Sequence, residues 1–236
     1  MNKTATILKR EIKSYFVSPL AYVIISAYLV ICGYFFTTSI LLSKLSTMQE
    51  VFTNMINVMI FLTPLLTMGL LTEERKQGID QLLFTTPLGV TEFVIGKYLS
   101  AIIVYITMLV ITFSYPLTLQ ILGDPDMGLI ISSYIGVLLV GGVFISIGLF
   151  ASSLTESQII AGIISFGILL FLWILTLIKS TFTGAIAQFI YNIDLFVYFT
   201  DFQKGIIDTR AIMICLSFIF IFLFLTTRVI DRRRWS

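Results

Sequence analysis

The sequence predicts an all-α integral membrane protein with six transmembrane helices. Three observations carry this. Hydrophobic residues make up 58% of the 236 and charged residues 12%, about half the ~25% of a soluble domain. Nearly charge-free apolar runs recur along the whole chain, each near the ~20 residues a helix needs to cross a ~30 Å hydrocarbon core. No polar stretch between them is long enough to fold alone, so residues 1–236 read as a single transmembrane domain.

The elements follow in order. Residues 3–16 place Ile7, Leu8, Ile12, Tyr15 and Phe16 on one helical face and Lys3, Lys9, Arg10 and Lys13 on the other, the pattern of an amphipathic helix lying in the interface with lysines toward anionic lipid headgroups. Ser18-Pro19 reads as an N-cap followed by the first helical residue, and the first span covers about 20–42. The first apolar run is too long for a signal-peptide core and no small-residue cleavage pattern follows it, so no cleaved leader is expected. The second span, about 51–71, contains Pro64, which removes a backbone hydrogen bond and predicts a kink. Glu50, Asn54 and Asn57 share one face of it. Two readings of Asn54 and Asn57 stand: lining of a pathway or dimer seam, or simple placement at headgroup level.

Residues 72–97 form a polar segment, described below. The third span covers about 98–122 and holds Pro116. Gly123-Asp124-Pro125-Asp126 is a tight turn by composition. The fourth span, about 129–154, carries Gly136, Gly141, Gly142 and Gly148, small residues that let neighbours approach closely. The fifth span covers about 159–178. Residues 179–210 are too polar to span and too apolar to float, which predicts re-entrant or interfacial helices. The sixth span covers about 211–227, and a basic tail follows it.

Basic residues set the orientation. Six spans put both termini on one side, together with Arg75, Lys76 and Lys97; the other side carries only Lys44, Lys179, Lys204 and Arg210. The bias predicts cytoplasmic termini and a cytoplasmic 72–97 segment.

Composition also narrows the chemistry. There is no histidine, hence neither the commonest metal ligand nor the commonest general base. Cys32 and Cys215 fall inside apolar spans and read as buried thiols. Charges cluster at span ends, whereas ion-coupled transporters keep ionisable groups at the midplane. Gly89 to Gly96-Lys97 fails the phosphate-loop pattern, because the spacing is too long and Tyr98 stands where Ser or Thr is needed. No catalytic residue, metal ligand or nucleotide site is therefore expected on this chain.

The 72–97 segment organises the sequence. Glu73, Glu74, Arg75 and Lys76 end an apolar run, and Ile79, Leu82, Leu83 and Phe84 follow. Apolar residues in a short membrane-side loop need cover from headgroups or a partner protein. The charges by themselves are equally the solvated flank of a span.

The segment resembles the signature of ABC-2 type transporter permeases: an acidic pair (Glu73-Glu74), basic residues (Arg75-Lys76), Gly-x-x-(Gln/Glu)-Leu-Leu (Gly78 to Leu83, with Gln81), a proline (Pro87) and Gly96-Lys97 before the third span. Ile79 stands where Thr is common, and Gln81 where an acid is usual. Residues 9–23, 148–161 and 202–210 and the tail 231–235 are similar to the gliding-motility-associated permease subfamily, so the resemblance covers essentially the whole chain.

The resemblance implies a bacterial inner-membrane subunit whose coupling helix, through Glu73, Glu74, Arg75, Lys76, Gly78, Gln81, Leu82, Leu83 and Pro87, rests on a separate cytoplasmic ABC ATPase. ATP and Mg would bind that partner, and this chain would hold no cofactor. A second permease subunit, itself or a paralogue, completes the pathway. Membrane lipid and an extracytoplasmic accessory protein complete the set of partners, and no nucleic acid is among them. Phe202, Gly205, Asp208 and Arg210 match the subfamily's extracytoplasmic motif. The expected function is export of an amphipathic or apolar substrate driven by the partner's hydrolysis. The alternative is a non-transporting mechanotransmission or scaffold subunit acting on a periplasmic partner with the same kind of ATPase.

Overall fold

A computed structural model of the chain describes residues 3–43, 48–76, 89–122, 125–178, 184, 188 and 191–234. Among these the backbone is helical, with short connections and no strand. The helices are α1 (Lys3–Val17), α2 (Pro19–Ser43), α3 (Gln49–Thr67), α4 (Gly69–Lys76), α5 (Val90–Thr112), α6 (Ser114–Leu122), α7 (Met127–Leu154), α8 (Gln158–Ile178), α9 (Leu195–Gln203) and α10 (Thr209–Arg234). Among the described residues six stretches are long and apolar enough to cross a membrane: Pro19–Ser39, Gln49–Lys76, Val90–Ile121, Met127–Leu154, Gln158–Ile178 and Thr209–Arg232. By length and composition this is a multi-pass membrane protein.

Two spans run further than hydropathy indicates. The second continues to Lys76, because α4 carries on from α3 with little interruption. Met68 keeps right-handed helical dihedrals and donates its N–H to the Pro64 carbonyl at 2.9 Å. Leu70, Leu71, Thr72 and Glu74 are buried there, so packing sustains the helix where apolar sequence stops. The third begins at Val90, since Phe93, Val94, Gly96 and Lys97 are buried as well. Both ends of the 72–97 segment are thus helical. Residues 77–88 lie outside the described residues.

Local signals act as their chemistry requires. Ser18 Oγ accepts the Leu20 N–H at 3.3 Å and opens α2 at Pro19. Asp126 accepts the Gly128 and Leu129 N–H groups and opens α7. Pro116, in the first turn of α6, cannot donate to the Thr112 carbonyl four residues back. The Tyr134 hydroxyl donates to that carbonyl instead, at 2.9 Å.

The core lies around α7, which packs against α3, α5, α8, α9 and α10. Its glycines receive bulky neighbours: Phe202 stands over Gly136 and Tyr105 over Gly141. In the second and fourth spans 72% and 78% of the most apolar window is buried, against 22% in the first and 17% in the fifth and sixth. The last three therefore form the outer wall, leaving most of their apolar surface to surroundings that are not water.

From residues 179–210 the described part includes α9, whose Leu195, Val197, Tyr198, Phe199 and Phe202 are buried. This short helix docks on the bundle. It ends at Gln203, and the chain turns away at Gly205, whose φ of +80° is a left-handed conformation open to glycine at little cost.

Candidate functional site

Each charged residue of α4 but the last is fastened to a different neighbour. Glu73, exposed, accepts from Gln158 Nε2 at 2.8 Å. Arg75 donates through Nη1 to the carbonyls of Ser153 and Thr155 at 2.9 and 3.0 Å, capping the end of α7. Its Nη2 also lies 3.5 Å from Glu156. Lys76 is exposed.

Glu74 turns inward. Its Oε1 accepts from Arg10 Nη2 at 2.6 Å and lies 3.1 Å from Lys97 Nζ. Lys97 also donates to Glu11 Oε2 at 2.8 Å, and Arg10 Nη2 to Glu11 Oε1 at 2.8 Å. Two acids and two bases from α1, α4 and α5 thus close one ring of charge-assisted hydrogen bonds. Lys97 is 4% exposed at its side chain and each carboxylate 10%; Arg10 is the open member. Burial pushes the Glu11 carboxyl up, but Lys97 and Arg10 outweigh this and hold it below its ordinary value.

The backbone brings these groups together for a steric reason. A Cβ at Gly96 would stand 2.9 Å from Ile7 Cγ2, so glycine lets α1 lie directly on α5 one residue from Lys97. Tyr15 fixes the C-terminal end of α1 by donating its hydroxyl to the Leu66 carbonyl at 3.1 Å. A cavity of about 330 Å³ opens beside the ring, lined by α1, the α3–α4 junction and Gln158.

The two acids that the sequence treats alike therefore part ways. Glu73 presents its carboxylate outward, whereas Glu74 is held within the chain. Gly78, Gln81, Leu82, Leu83 and Pro87 lie outside the described residues. Asn54 and Asn57 are half-buried, on a face of α3 continued by exposed Phe61 and Leu65. At the opposite end of the bundle, Phe202 is fully buried, Asp208 accepts the Arg210 N–H at 2.9 Å, and Arg210 donates to Asn192 Oδ1 at 2.9 Å. Gln203 Nε2 ties the same region to α3 by donating to the Gln49 carbonyl and to Thr53 Oγ1, both at 2.8 Å. Cys32 and Cys215 are buried free thiols.

Glu11 is the site residue the sequence reading missed. It stands four residues after Ile7 and four before Tyr15, on the helical face that packs inward, and that spacing was the available signal. Lys97 counted as a marker of membrane side and as part of the Gly96-Lys97 motif, not as a partner of Glu11.

No protein-family model matches the chain, and no curated protein matches it.

Proposed function

We propose that this chain is the membrane permease subunit of an ATP-driven exporter and that hydrolysis takes place on a separate ATPase. One observation supports this above the rest. The end of the second span is bonded through Glu73, Glu74 and Arg75 to α1, α5, the α7 terminus and α8. A force applied to the segment after Lys76 is delivered to four other helices at once. That suits an element through which a cytoplasmic motor drives the spans, and it exceeds what a solvated span flank requires. The resemblance of residues 72–97 to the ABC-2 coupling segment names the motor. The second, third and fourth spans carry the motion. The apolar outer helices and the half-buried Asn54 and Asn57 favour an amphipathic or apolar cargo moving along a seam with a second permease subunit.

The test reverses only the charges that α4 leaves outside, Glu73→Lys with Lys76→Glu, and keeps Glu74 in its ring. The permease is co-expressed with its ABC ATPase, and both co-purification and stimulated hydrolysis are measured. The expected result is normal insertion with loss of both. Wild-type levels of both would remove the coupling reading. Coupled hydrolysis with no species moved across proteoliposomes would favour the mechanotransmission subunit over the exporter.

A further inference from the structure

The cavity beside the ring of charges has a chemistry that coupling does not use. Its volume of about 330 Å³ falls at the low end of small-molecule sites, roughly 300–1,000 Å³. Its polar wall carries both signs of charge. Arg10, Ser14 and Ser18 follow one another at four-residue spacing along α1 and its end. Arg10 bonds Glu11 and Glu74 through Nε and Nη2, which leaves the two Nη1 donors of a 55% exposed side chain. The same lining holds Glu73, one oxygen of which accepts from Gln158, and Glu74, whose buried Oε2 has no partner. Among the described residues the lining holds two cations, Arg10 and Lys97, and three acids, Glu11, Glu73 and Glu74, a surplus of one negative charge.

The remaining wall is apolar: Leu20, Leu65, Leu66, Met68 and Leu70. Leu20 and Leu65 are also exposed on the outside of the bundle, and Phe61, one helical turn beyond Leu65, is 60% exposed. A guanidinium with hydroxyls, a carboxylate in the same lining and exposed leucines beside it have the chemistry that a zwitterionic amphiphile needs.

We infer that this cavity binds the headgroup of an aminophospholipid. The phosphate takes the Arg10 Nη1 donors with Ser14 and Ser18. The primary ammonium takes the free oxygen of Glu73. The acyl chains run along Leu20, Leu65 and Phe61. A primary ammonium has three N–H donors for a carboxylate. A choline group has none and is recognised by aromatic cages, and among the described residues Tyr15 is the one aromatic in this lining. A glycerol headgroup carries no cation and would leave Glu73 unmatched.

The permease alone, without ATPase, is incubated in detergent with equimolar phosphatidylethanolamine, phosphatidylcholine and phosphatidylglycerol, and retained lipid is read by native mass spectrometry. The expected result is phosphatidylethanolamine retained about tenfold over the other two, the factor for one hydrogen bond to a charged group. Glu73→Gln, isosteric and exposed, abolishes the preference, and Glu50→Gln at the far end of the second span keeps it. Equal retention of ethanolamine and choline lipids, a preference for phosphatidylglycerol, or an unchanged preference in Glu73→Gln overturns the assignment. Soluble phosphoethanolamine displacing the lipid at equal concentration would show a site for dissolved ligand and overturn it too. None of these readings depends on an ATPase, so the lipid site and the coupling reading fail separately.

Discussion

The Lys97 ammonium meets the Glu11 carboxylate at 2.8 Å across 86 residues of sequence, with 4% and 10% of the two side chains exposed. A buried pair of this kind gives a fold little net stability as a pair, yet losing one partner leaves the other as an uncompensated charge, at about 3–5 kcal/mol. Lys97→Met is therefore expected to destabilise the protein by about that amount, because Glu11 and Glu74 then share Arg10 alone. Glu11→Leu combined with Lys97→Met is expected to recover more than half of the loss, since it removes the orphaned acid and Glu74 keeps Arg10. Unfolding in detergent micelles measures both. A double variant as unstable as the single one would mean that Lys97 acts by packing on Phe93, 5.6 Å from its ring centroid, and not by pairing with Glu11.

Glu11 makes the docking of α1 depend on pH in a defined direction. Glu11 faces Lys97, Arg10 and the Glu74 carboxylate, and its own carboxyl is held below the ordinary value, about 4.3. A carboxylate depressed in the folded state stabilises that state at every pH above its unfolded value. The contribution is lost as pH falls through the folded value. A spin label on exposed Lys13 is thus expected to stay immobilised from neutral pH down past the ordinary carboxylate value and to loosen only below it. Glu11→Gln, which mimics the protonated acid, should be loose already at neutral pH. Loosening of the wild type between pH 5 and 7 would assign α1 docking to another group.

The spans were legible because burial in lipid is written into the sequence as apolar length, and the Ser18-Pro19 start was legible because a cap is a local bond. Charge partners are not local. Glu74 finds Arg10 across 64 residues, and nothing in the string Glu73-Glu74 distinguishes the acid that faces out from the one that faces in. The helix register does so only once α1 lies on α5, which Gly96 permits. The length of the helix was hidden for a related reason: hydropathy stops at Leu71, whereas tertiary packing of Thr72 and Glu74 continues the helix to Lys76.

Orientation rests on the basic-residue bias, and it decides which face of the bundle carries the ring. Single cysteines at Asp126 and Lys204, both exposed, are expected to react with an impermeant maleimide added outside intact cells. A cysteine at exposed Lys76 should react only after permeabilisation, and so should one at Ser236, which lies outside the described residues. Outside labelling of Lys76 would put α4 beyond the reach of a cytoplasmic ATPase and end the coupling argument.

Tyr134 and Pro116 give a test of the fold that involves no charge. Pro116 leaves the Thr112 carbonyl without its helical donor, and Tyr134 supplies one from α7 at 2.9 Å. A buried carbonyl left unsatisfied costs about 1–3 kcal/mol, and water is scarce within a membrane span. Tyr134→Phe is therefore expected to destabilise by about that amount. In a Pro116→Ala background, residue 116 regains an N–H that can reach Thr112 in ordinary helical geometry, so the same Tyr134→Phe change should cost much less. The coupling energy from the four-protein cycle, read by unfolding in micelles, isolates the bond from the ring contacts that phenylalanine retains, among them Phe52 at 5.0 Å between centroids. Additive costs in the cycle would mean that Tyr134 stabilises α7 by packing alone and that the Thr112 carbonyl is satisfied in some other way.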